Sequence, residues 1–242
     1  MAKKAATKTA TKPAKKAASK PRATKSDGGV SSDDNEALSG WQQRALDRSL
    51  VDAKRRALTK SNGFVRASME LLDETGGLAF TVQDVVDRSE LSLRSFYQTF
   101  ASKDDLLLAL FEECVASAAE WQRGRMAKHD DPLEQIEVFL TSLWTGKLSA
   151  PVARALAVYN LTLSATRPSD LAHALEPQLE VLLEPVERGI ASGQVRNDID
   201  SRRLAEILLH TGNAAVHTTI LHTGRESPAD VWAFCLGGIR AD

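Results

Sequence analysis

The side chains best suited to chemistry lie close together between Ser92 and Lys103, in the sequence SLRSFYQTFASK. If this segment is helical, Phe96 and Phe100 share its inner face, and four hydrogen-bonding side chains remain to point outward: Arg94, Ser95, Gln98 and Thr99. Arginine pairs with the acceptors of guanine and glutamine with the edge of adenine, so such a face can recognise bases in the major groove of DNA. The segment therefore predicts direct base contacts from a recognition helix.

The residues around this segment predict the elements that would hold it in place. Thr81 is a good N-cap for a short helix that carries Val85 and Val86, while Ser92 and Ser102 are good N-caps for two further helices. Two short amphipathic helices joined by a polar turn are the pattern of a helix-turn-helix. The same pattern also occurs in all-helical proteins that do not bind DNA, where an arginine on the second helix is simply solvated.

The remainder of the chain also predicts helices, so the expected fold class is all-α. A first helix over residues 42–74 precedes the helix-turn-helix, and further helices are expected over residues 106–126, 132–144, 151–165, 171–192, 201–221 and 228–239. The sequence has no strand-like alternation and no hairpin signal. Pro177 and Pro185 are expected to bend or split the helix over residues 171–192.

The charge distribution separates an N-terminal segment from the rest of the chain. Residues 1–26 contain eight lysines and Arg22 but no acid, which gives +9; because the whole chain has a net charge of −1, residues 27–242 carry −10. Residues 1–39 also have almost no large apolar side chains, so they are expected to form a disordered basic tail. The tail predicts sequence-independent binding to phosphates, and the alternative is an extension that serves solubility or expression.

Composition and motifs exclude several classes of protein. No apolar run is long enough to cross a bilayer, and no secretory signal follows the basic N-terminus. Cys114 and Cys235 lack metal-site spacing and are expected to be reduced thiols, which indicates a cytoplasmic, nucleoid-associated protein. We interpret His210, His217 and His222 as core or interface residues rather than metal ligands. Without a nucleophile elbow, P-loop or dinucleotide motif, we expect no enzyme activity, no cofactor and no metal.

Residues 54–107 resemble the N-terminal domain of TetR-type transcriptional regulators. The residues that carry the resemblance are Phe64, Ala67, Leu71, Leu72, Gly76, Gly77, Thr81, Val82, Asp84, Val85, Val86, Ser92, Phe96, Tyr97, Phe100, Ser102, Lys103, Asp104 and Leu106. Two positions differ from the family pattern, since Glu90 stands where a glycine is usual and Arg94 where a small residue is frequent. Glu90 is expected to adopt a left-handed conformation at a cost of about 1 kcal/mol, or to alter the turn slightly.

The resemblance implies roles for the residues of the candidate DNA-binding surface. Tyr97 and Lys103 match positions that contact phosphates, and Thr81 matches a helix start that contacts the DNA backbone. The positions that face bases in such regulators are occupied here by Leu93, Arg94, Ser95 and Gln98. Ser92 and Thr99 complete the predicted DNA-binding set.

The resemblance also implies how the chain is divided. The expected parts are a disordered basic tail (1–39), a three-helix helix-turn-helix DNA-binding domain (40–103), and a helical effector-binding and dimerisation domain (104–242). Residues 201–239 are expected to form a four-helix bundle with a second copy, and the alternative is that they only cap a monomer core. An unidentified small-molecule effector is expected among residues 104–192. The aromatic residues that are candidates for its pocket, or alternatively for the core, are Trp121, Phe139, Trp144 and Tyr159.

Together these features predict a ligand-responsive transcriptional regulator, with repression the preferred sense, that binds a pseudo-palindromic operator in double-stranded DNA as a homodimer. Two alternatives stay open. One is an architectural, nucleoid-associated DNA-binding protein that relies on its Lys-rich tail. The other is an all-helical enzyme or protein-interaction module whose site the motifs do not reveal.

Overall fold

A computed structural model describes residues 39–241 of the chain, and these residues are almost entirely helical. The helices of this part are α1 Gly40–Thr75, α2 Val82–Ser89, α3 Leu93–Thr99, α4 Lys103–Met126, α5 Pro132–Ser142, α6 Ala150–Thr166, α7 Pro168–Ala191, α8 Ser201–Ile220 and α9 Pro228–Ile239. The only β pairing within residues 39–241 is an isolated antiparallel bridge between Val195 and Arg240. The all-α prediction is confirmed.

Contacts within the chain divide it into two units between Leu46 and Asp47. In the first unit the structure describes residues 39–46, where α1 begins and the amide of Gln43 donates to the carbonyl of Ser39. The second unit contains the rest of α1 and all the other helices. The predicted basic tail, apart from Ser39, lies outside the described residues.

The predicted N-caps of the helix-turn-helix are confirmed. Thr81 and Asp84 form a capping box at the start of α2, in which each side chain accepts from the other residue's backbone amide. Ser92 caps α3 by accepting from the amide of Ser95, and Ser102 caps α4 in the same way. Each cap satisfies an amide that a helix start would otherwise leave unpaired, which is typically worth about 1 kcal/mol.

One apolar core runs through the second unit, from Phe64 on α1 to Ile239 on α9. Helix α7 is central to it, because α7 packs against α4, α5, α6 and α8. The sequence predicted that Pro177 and Pro185 would bend or split this helix, and α7 is not split, because it is continuous through both. A proline removes one backbone hydrogen bond, and in α7 the packing of Leu179, Leu182 and Val186 into the core holds the helix together.

None of the helices in the described part of the chain combines the length and the apolar composition that a membrane span requires. Cys114 and Cys235 are both buried free thiols.

Candidate DNA-binding surface and effector cavities

The inner side of α3 is fixed by three phenylalanine rings. Phe96 and Phe100 lie four residues apart and are buried against Phe64 of α1. The ring centroids of Phe64 and Phe96 are 5.4 Å apart and those of Phe64 and Phe100 are 6.2 Å apart, both in edge-to-face geometry. Such pairs add about 0.5–1.5 kcal/mol to the free energy gained by burial. A helix of seven residues is unstable alone, so this contact is what makes α3 a rigid support.

The turn between α2 and α3 is tight and partly strained. Glu90 adopts φ 58° and ψ 22°, as the sequence predicted for a non-glycine residue at this position. The left-handed conformation costs about 1–2 kcal/mol for a residue with a Cβ atom. Next to it, Leu91 approaches α1 so closely that a Cβ atom at Gly63 would lie 3.3 Å from Leu91 Cδ1. The backbone of α1 thus sets the position of the turn.

An ion-pair cluster fixes α2 on α1. The guanidinium of Arg88 donates to both carboxylate oxygens of Glu74 at 2.7 and 2.8 Å and lies 3.5 Å from Glu70. This hydrogen bonding lowers the pKa of Glu74. The bidentate pair fixes the orientation of α2 on α1, because two parallel hydrogen bonds restrict rotation of the two side chains.

The outer side of α3 is exposed, and the predicted residues fall into two groups there. Arg94 and Gln98 are exposed, and neither side chain has a hydrogen-bond or ion-pair partner among residues 39–241. Tyr97 is 58% exposed and Leu93 44% exposed, so both present apolar surface to solvent. These four side chains are available to a partner.

The hydroxyl groups of the same segment are used within the helix. Ser92 Oγ donates to Ser95 Oγ at 3.0 Å, and Thr99 Oγ1 donates to the carbonyl of Ser95 at 2.9 Å. Ser95 and Thr99 are half-buried, whereas Ser92 is exposed. A hydroxyl group can still accept a further hydrogen bond, so these residues retain some capacity for DNA.

Lys103 has a structural contact that the sequence did not predict. Its ammonium donates to the carbonyls of Leu78 and Phe80 and lies 4.5 Å from the centroid of the Phe80 ring. Burial lowers the pKa of this ammonium, although the carboxylate of Asp84 acts in the opposite direction. Lys103 therefore holds the loop that leads into Thr81 and α2. The sequence did contain a signal for this contact, namely a lysine in the first turn of a helix. The helix dipole disfavours a cation there, so such a lysine needs acceptors elsewhere in the protein.

Three adjoining cavities lie among the helices that follow the helix-turn-helix. We call them the outer cleft (about 670 Å³, between α6, α7 and α8), the central cavity (about 410 Å³) and the inner cavity (about 280 Å³, between α4 and α5). The outer cleft and central cavity share Asn160, Leu175, Asn213 and His217. The central and inner cavities share Leu143, Gly146, Leu148 and Gln178. Together they offer a path for an elongated ligand.

The four aromatic candidates for the pocket are in different places. Trp144 lines the central cavity and Trp121 lines the inner cavity. Phe139 is fully buried and Tyr159 nearly so, and neither lines the three cavities. The Tyr159 hydroxyl lies 3.1 Å from the carbonyl oxygen of Asp104 and 3.2 Å from its Oδ1. Burial and this carboxylate raise the pKa of Tyr159, so the phenol stays neutral.

The walls of the three cavities are mostly apolar, and charged residues line only the inner cavity, where they are Glu113 and Lys147. Burial lowers the pKa of His217, so its imidazole is neutral near pH 7. Burial raises the pKa of the Cys114 thiol to about 12, which makes it an apolar part of the inner wall. Such surroundings favour an apolar ligand with few, well-placed polar atoms.

The last two helices present apolar side chains to solvent. Phe234 on α9 is 76% exposed and Ile207 on α8 is 46% exposed. Trp232, two residues before Phe234, is half-buried. A large exposed aromatic residue next to other apolar groups is typical of a protein contact surface.

Comparisons with known proteins bear on the part of the chain that contains this surface. Residues 64–110, from Phe64 through the first two turns of α4, match the family model described as bacterial regulatory proteins, tetR family. These residues are a tetR-family domain. The resemblance predicted from the sequence is thereby confirmed for the helix-turn-helix. No relative was found among curated protein sequences.

Solved structures of similar fold, each covering about three quarters of this chain, include several transcriptional regulators. FadR from Bacillus subtilis in complex with stearoyl-CoA is 19% identical with a TM-score of 0.57, over 72% of this chain and 95% of that one. Thermus thermophilus FadR, a repressor in complex with lauroyl-CoA, is 18% identical with a TM-score of 0.59, over 73% and 91%. A TetR-family regulator from Cytophaga hutchinsonii is 14% identical with a TM-score of 0.60, over 77% and 98%. At these identities the similarity establishes the shared fold.

Proposed function

We propose that the chain is a ligand-responsive transcriptional repressor that binds a pseudo-palindromic operator as a homodimer. The observation that carries the proposal is the outer face of α3 in a tetR-family domain. Arg94 and Gln98 are exposed there without partners among the described residues, on a helix held rigid by buried phenylalanines. We assign DNA binding to residues 40–103 and effector binding and dimerisation to residues 104–242. The role of the Lys-rich tail would be sequence-independent affinity for phosphates.

Within the proposed interface the side chains have different tasks. Arg94 and Gln98 would recognise base edges, and Leu93 would pack against a base or a thymine methyl group. Tyr97, at the exposed side of α3, would donate its hydroxyl to a phosphate. Ser92, Ser95 and Thr99 would add contacts through oxygens that are already held in place. Thr81 and Lys103 would act at the start of α2, where Lys103 retains one ammonium hydrogen after its two contacts with carbonyls.

Dimerisation is proposed through α8 and α9. Burying Phe234 against the same surface of a second copy would remove a large apolar side chain from water, worth about 1.5–3 kcal/mol for each copy. An interface of this kind is symmetric, because the same patch serves both partners. It would hold two α3 helices about 34–36 Å apart, or a multiple of this distance, as successive major grooves on one side of DNA require.

The effector is proposed to bind in the outer cleft and central cavity. Support comes from their apolar walls and uncharged polar groups, and from the fact that two regulators of similar fold are complexes with acyl-CoA molecules. A ligand that prefers a different distance between the two α3 helices would release the operator. A coupling of about 1–3 kcal/mol is enough for regulation.

The test is a selection of bound sequences from a random DNA pool with the full chain and with a variant that lacks residues 1–39. A regulator should enrich the same two-fold symmetric site with both proteins, and the shortened one should lose mainly sequence-independent affinity. If the shortened protein loses most of its binding and neither enriches a sequence, the architectural alternative is correct and the proposal is wrong.

A further inference from the structure

Three buried polar side chains form a hydrogen-bonded chain where the central and inner cavities meet. Gln178 on α7 donates from Nε2 to Gln122 Oε1 at 3.0 Å, and Gln122 on α4 donates from Nε2 to Ser142 Oγ at 3.2 Å. Ser142 on α5 donates in turn to the carbonyl of Phe139 at 2.6 Å. All three side chains are at least nine-tenths buried. We call this chain of hydrogen bonds the Gln178 relay.

The direction of the relay follows from its last member. A backbone carbonyl can only accept, so the single hydroxyl hydrogen of Ser142 points to Phe139 and its oxygen accepts from Gln122. The amide oxygen of Gln122 must then accept from Gln178. This leaves Gln178 Oε1 as an acceptor to which no group in the described part of the chain donates. Gln178 lines both the central and the inner cavity, so the relay ends in an unmatched acceptor where they meet.

Trp144 also lines the central cavity, but its polar atom does not face the ligand. The indole Nε1 is buried and has no hydrogen-bond partner among residues 39–241. An atom that is buried from water is equally out of reach of a ligand in the cavity, so Trp144 offers its ring and not its N–H. Gln178 Oε1 is therefore the acceptor on which the recognition of a ligand depends.

The electrostatic character of the central cavity restricts what can donate to Gln178 Oε1. None of the described residues that line the central cavity is Asp, Glu, Lys or Arg. A charged ligand group placed there would lose its hydration without gaining a counter-charge. Apolar side chains line both cavities beside Gln178, and the inner cavity is also lined by Glu113 and Lys147.

We infer that the effector carries, between two apolar parts, one neutral group that donates a hydrogen bond, such as a secondary amide or a hydroxyl, and that Gln178 recognises it. The inference rests on the proposed effector site and specifies its ligand class. The ligand's N–H or O–H donates to Gln178 Oε1. Gln122 and Ser142 position Gln178 without touching the ligand.

Two neutral probes of equal length test the inference by titration calorimetry on the full chain. N-pentylhexanamide has a donor and an acceptor at mid-chain, whereas pentyl hexanoate has the acceptor alone. We expect the amide to bind about 10-fold more tightly, although it is the less apolar molecule, because the ester leaves Gln178 Oε1 unmatched. An ester that binds as tightly as the amide, or no binding of either probe, would overturn the inference.

Variants test whether Gln178 recognises this group. Gln178→Leu should abolish the preference for the amide, while Trp144→Phe keeps an aromatic ring in the cavity wall and should leave the preference intact. Gln135→Leu is the matched control, because Gln135 is similarly buried (9% exposed, against 6% for Gln178) but lines none of the three cavities. It should keep the preference even if it lowers the melting temperature.

The outcomes separate this inference from the proposed function. If both probes bind equally and release operator DNA, the effector site stands and the assignment of its ligand class is wrong. If the amide is preferred through Gln178 but operator affinity does not change, the ligand class stands and the regulatory role is wrong. A preference that persists in Gln178→Leu would contradict the assignment to the relay whatever happens to DNA binding.

Discussion

The guanidinium of Arg167 donates a hydrogen bond of 2.7 Å to the carboxylate of Asp104. Arg167 lies between α6 and α7, next to Pro168 of the outer cleft, and Asp104 lies in the first turn of α4. The neighbour of Asp104 is Lys103, which holds the loop before α2 through its carbonyl contacts. A short series of contacts therefore joins the wall of the proposed effector site to the helix-turn-helix.

Loss of this contact should loosen the helix-turn-helix without unfolding the protein. In Arg167→Met we expect amide hydrogen exchange at residues 78–81 and in the first turn of α4 to rise about two- to fivefold, as the loss of a partly exposed ion pair predicts. Exchange measured by mass spectrometry checks this. Arg123→Met is the control, since Arg123 pairs only with Glu120 of the same helix. Equal exchange in both variants would show that the contact transmits nothing.

Arg94 is expected to determine specificity rather than general affinity. Arg94→Ala should weaken operator binding by about 1–3 kcal/mol and relax the preference at one base pair of each half-site. Competition gel shifts against a panel of single-base operator variants measure both effects. Arg123→Ala removes an exposed arginine that lies outside the tetR-family domain, and it should leave the affinity for every operator variant unchanged. A loss that is equal on every sequence would assign Arg94 to phosphate instead.

Lys103 should affect both folding and DNA binding, because its ammonium is engaged within the protein. Lys103→Met removes two hydrogen bonds from a partly buried cation, and we expect a loss of about 1–3 kcal/mol in the free energy of unfolding. Operator and non-operator DNA should be weakened alike. Urea denaturation and gel shifts give the two quantities. Lys128→Met, the same change at an exposed lysine, is the control. A Lys103→Met protein of unchanged stability would contradict the structural role of Lys103.

The local features of the helix-turn-helix were predictable from the sequence, and the long-range ones were not. The caps Thr81, Ser92 and Ser102 depend on residues at most three positions away, so their spacing alone predicts them. The left-handed conformation of Glu90 was predictable for a different reason, because this residue stands where the family pattern usually has a glycine.

The cavities depend instead on contacts between residues far apart in the chain. Gln122 and Gln178 are 56 positions apart, and the sequence contains no periodicity that pairs them. For the same reason Phe139 and Tyr159 could not be separated from Trp121 and Trp144 as pocket residues. All four are aromatic residues on helices or, for Trp144, in the turn after α5, and only the packing of α4, α5, α6 and α7 decides which of them meets a cavity.

Relief of the strain at Glu90 should stabilise the protein. Glu90→Gly removes the left-handed penalty, and we expect a gain of up to about 1 kcal/mol after the greater entropy of glycine in the unfolded chain is subtracted. Gly76→Ala is the matched opposite change, since Gly76 has φ 67° and the nearest atom to an added Cβ is 4.0 Å away. The Gly76→Ala variant should lose about 1 kcal/mol in the free energy of unfolding. Thermal unfolding measures both, and shifts of the same sign would refute the conformational explanation.

Phe234 should control the oligomeric state. It is 76% exposed on α9, so Phe234→Asp removes no core contact and should leave the helical circular dichroism unchanged. We expect the variant to sediment as a monomer and to bind one half-site with far lower affinity, because the two α3 helices no longer bind as a linked pair. The control is Val158→Asp, which places the same charge at an exposed apolar position on α6. If Phe234→Asp remains a dimer and Val158→Asp does not, the interface lies on α6 and the assignment to α8 and α9 is wrong.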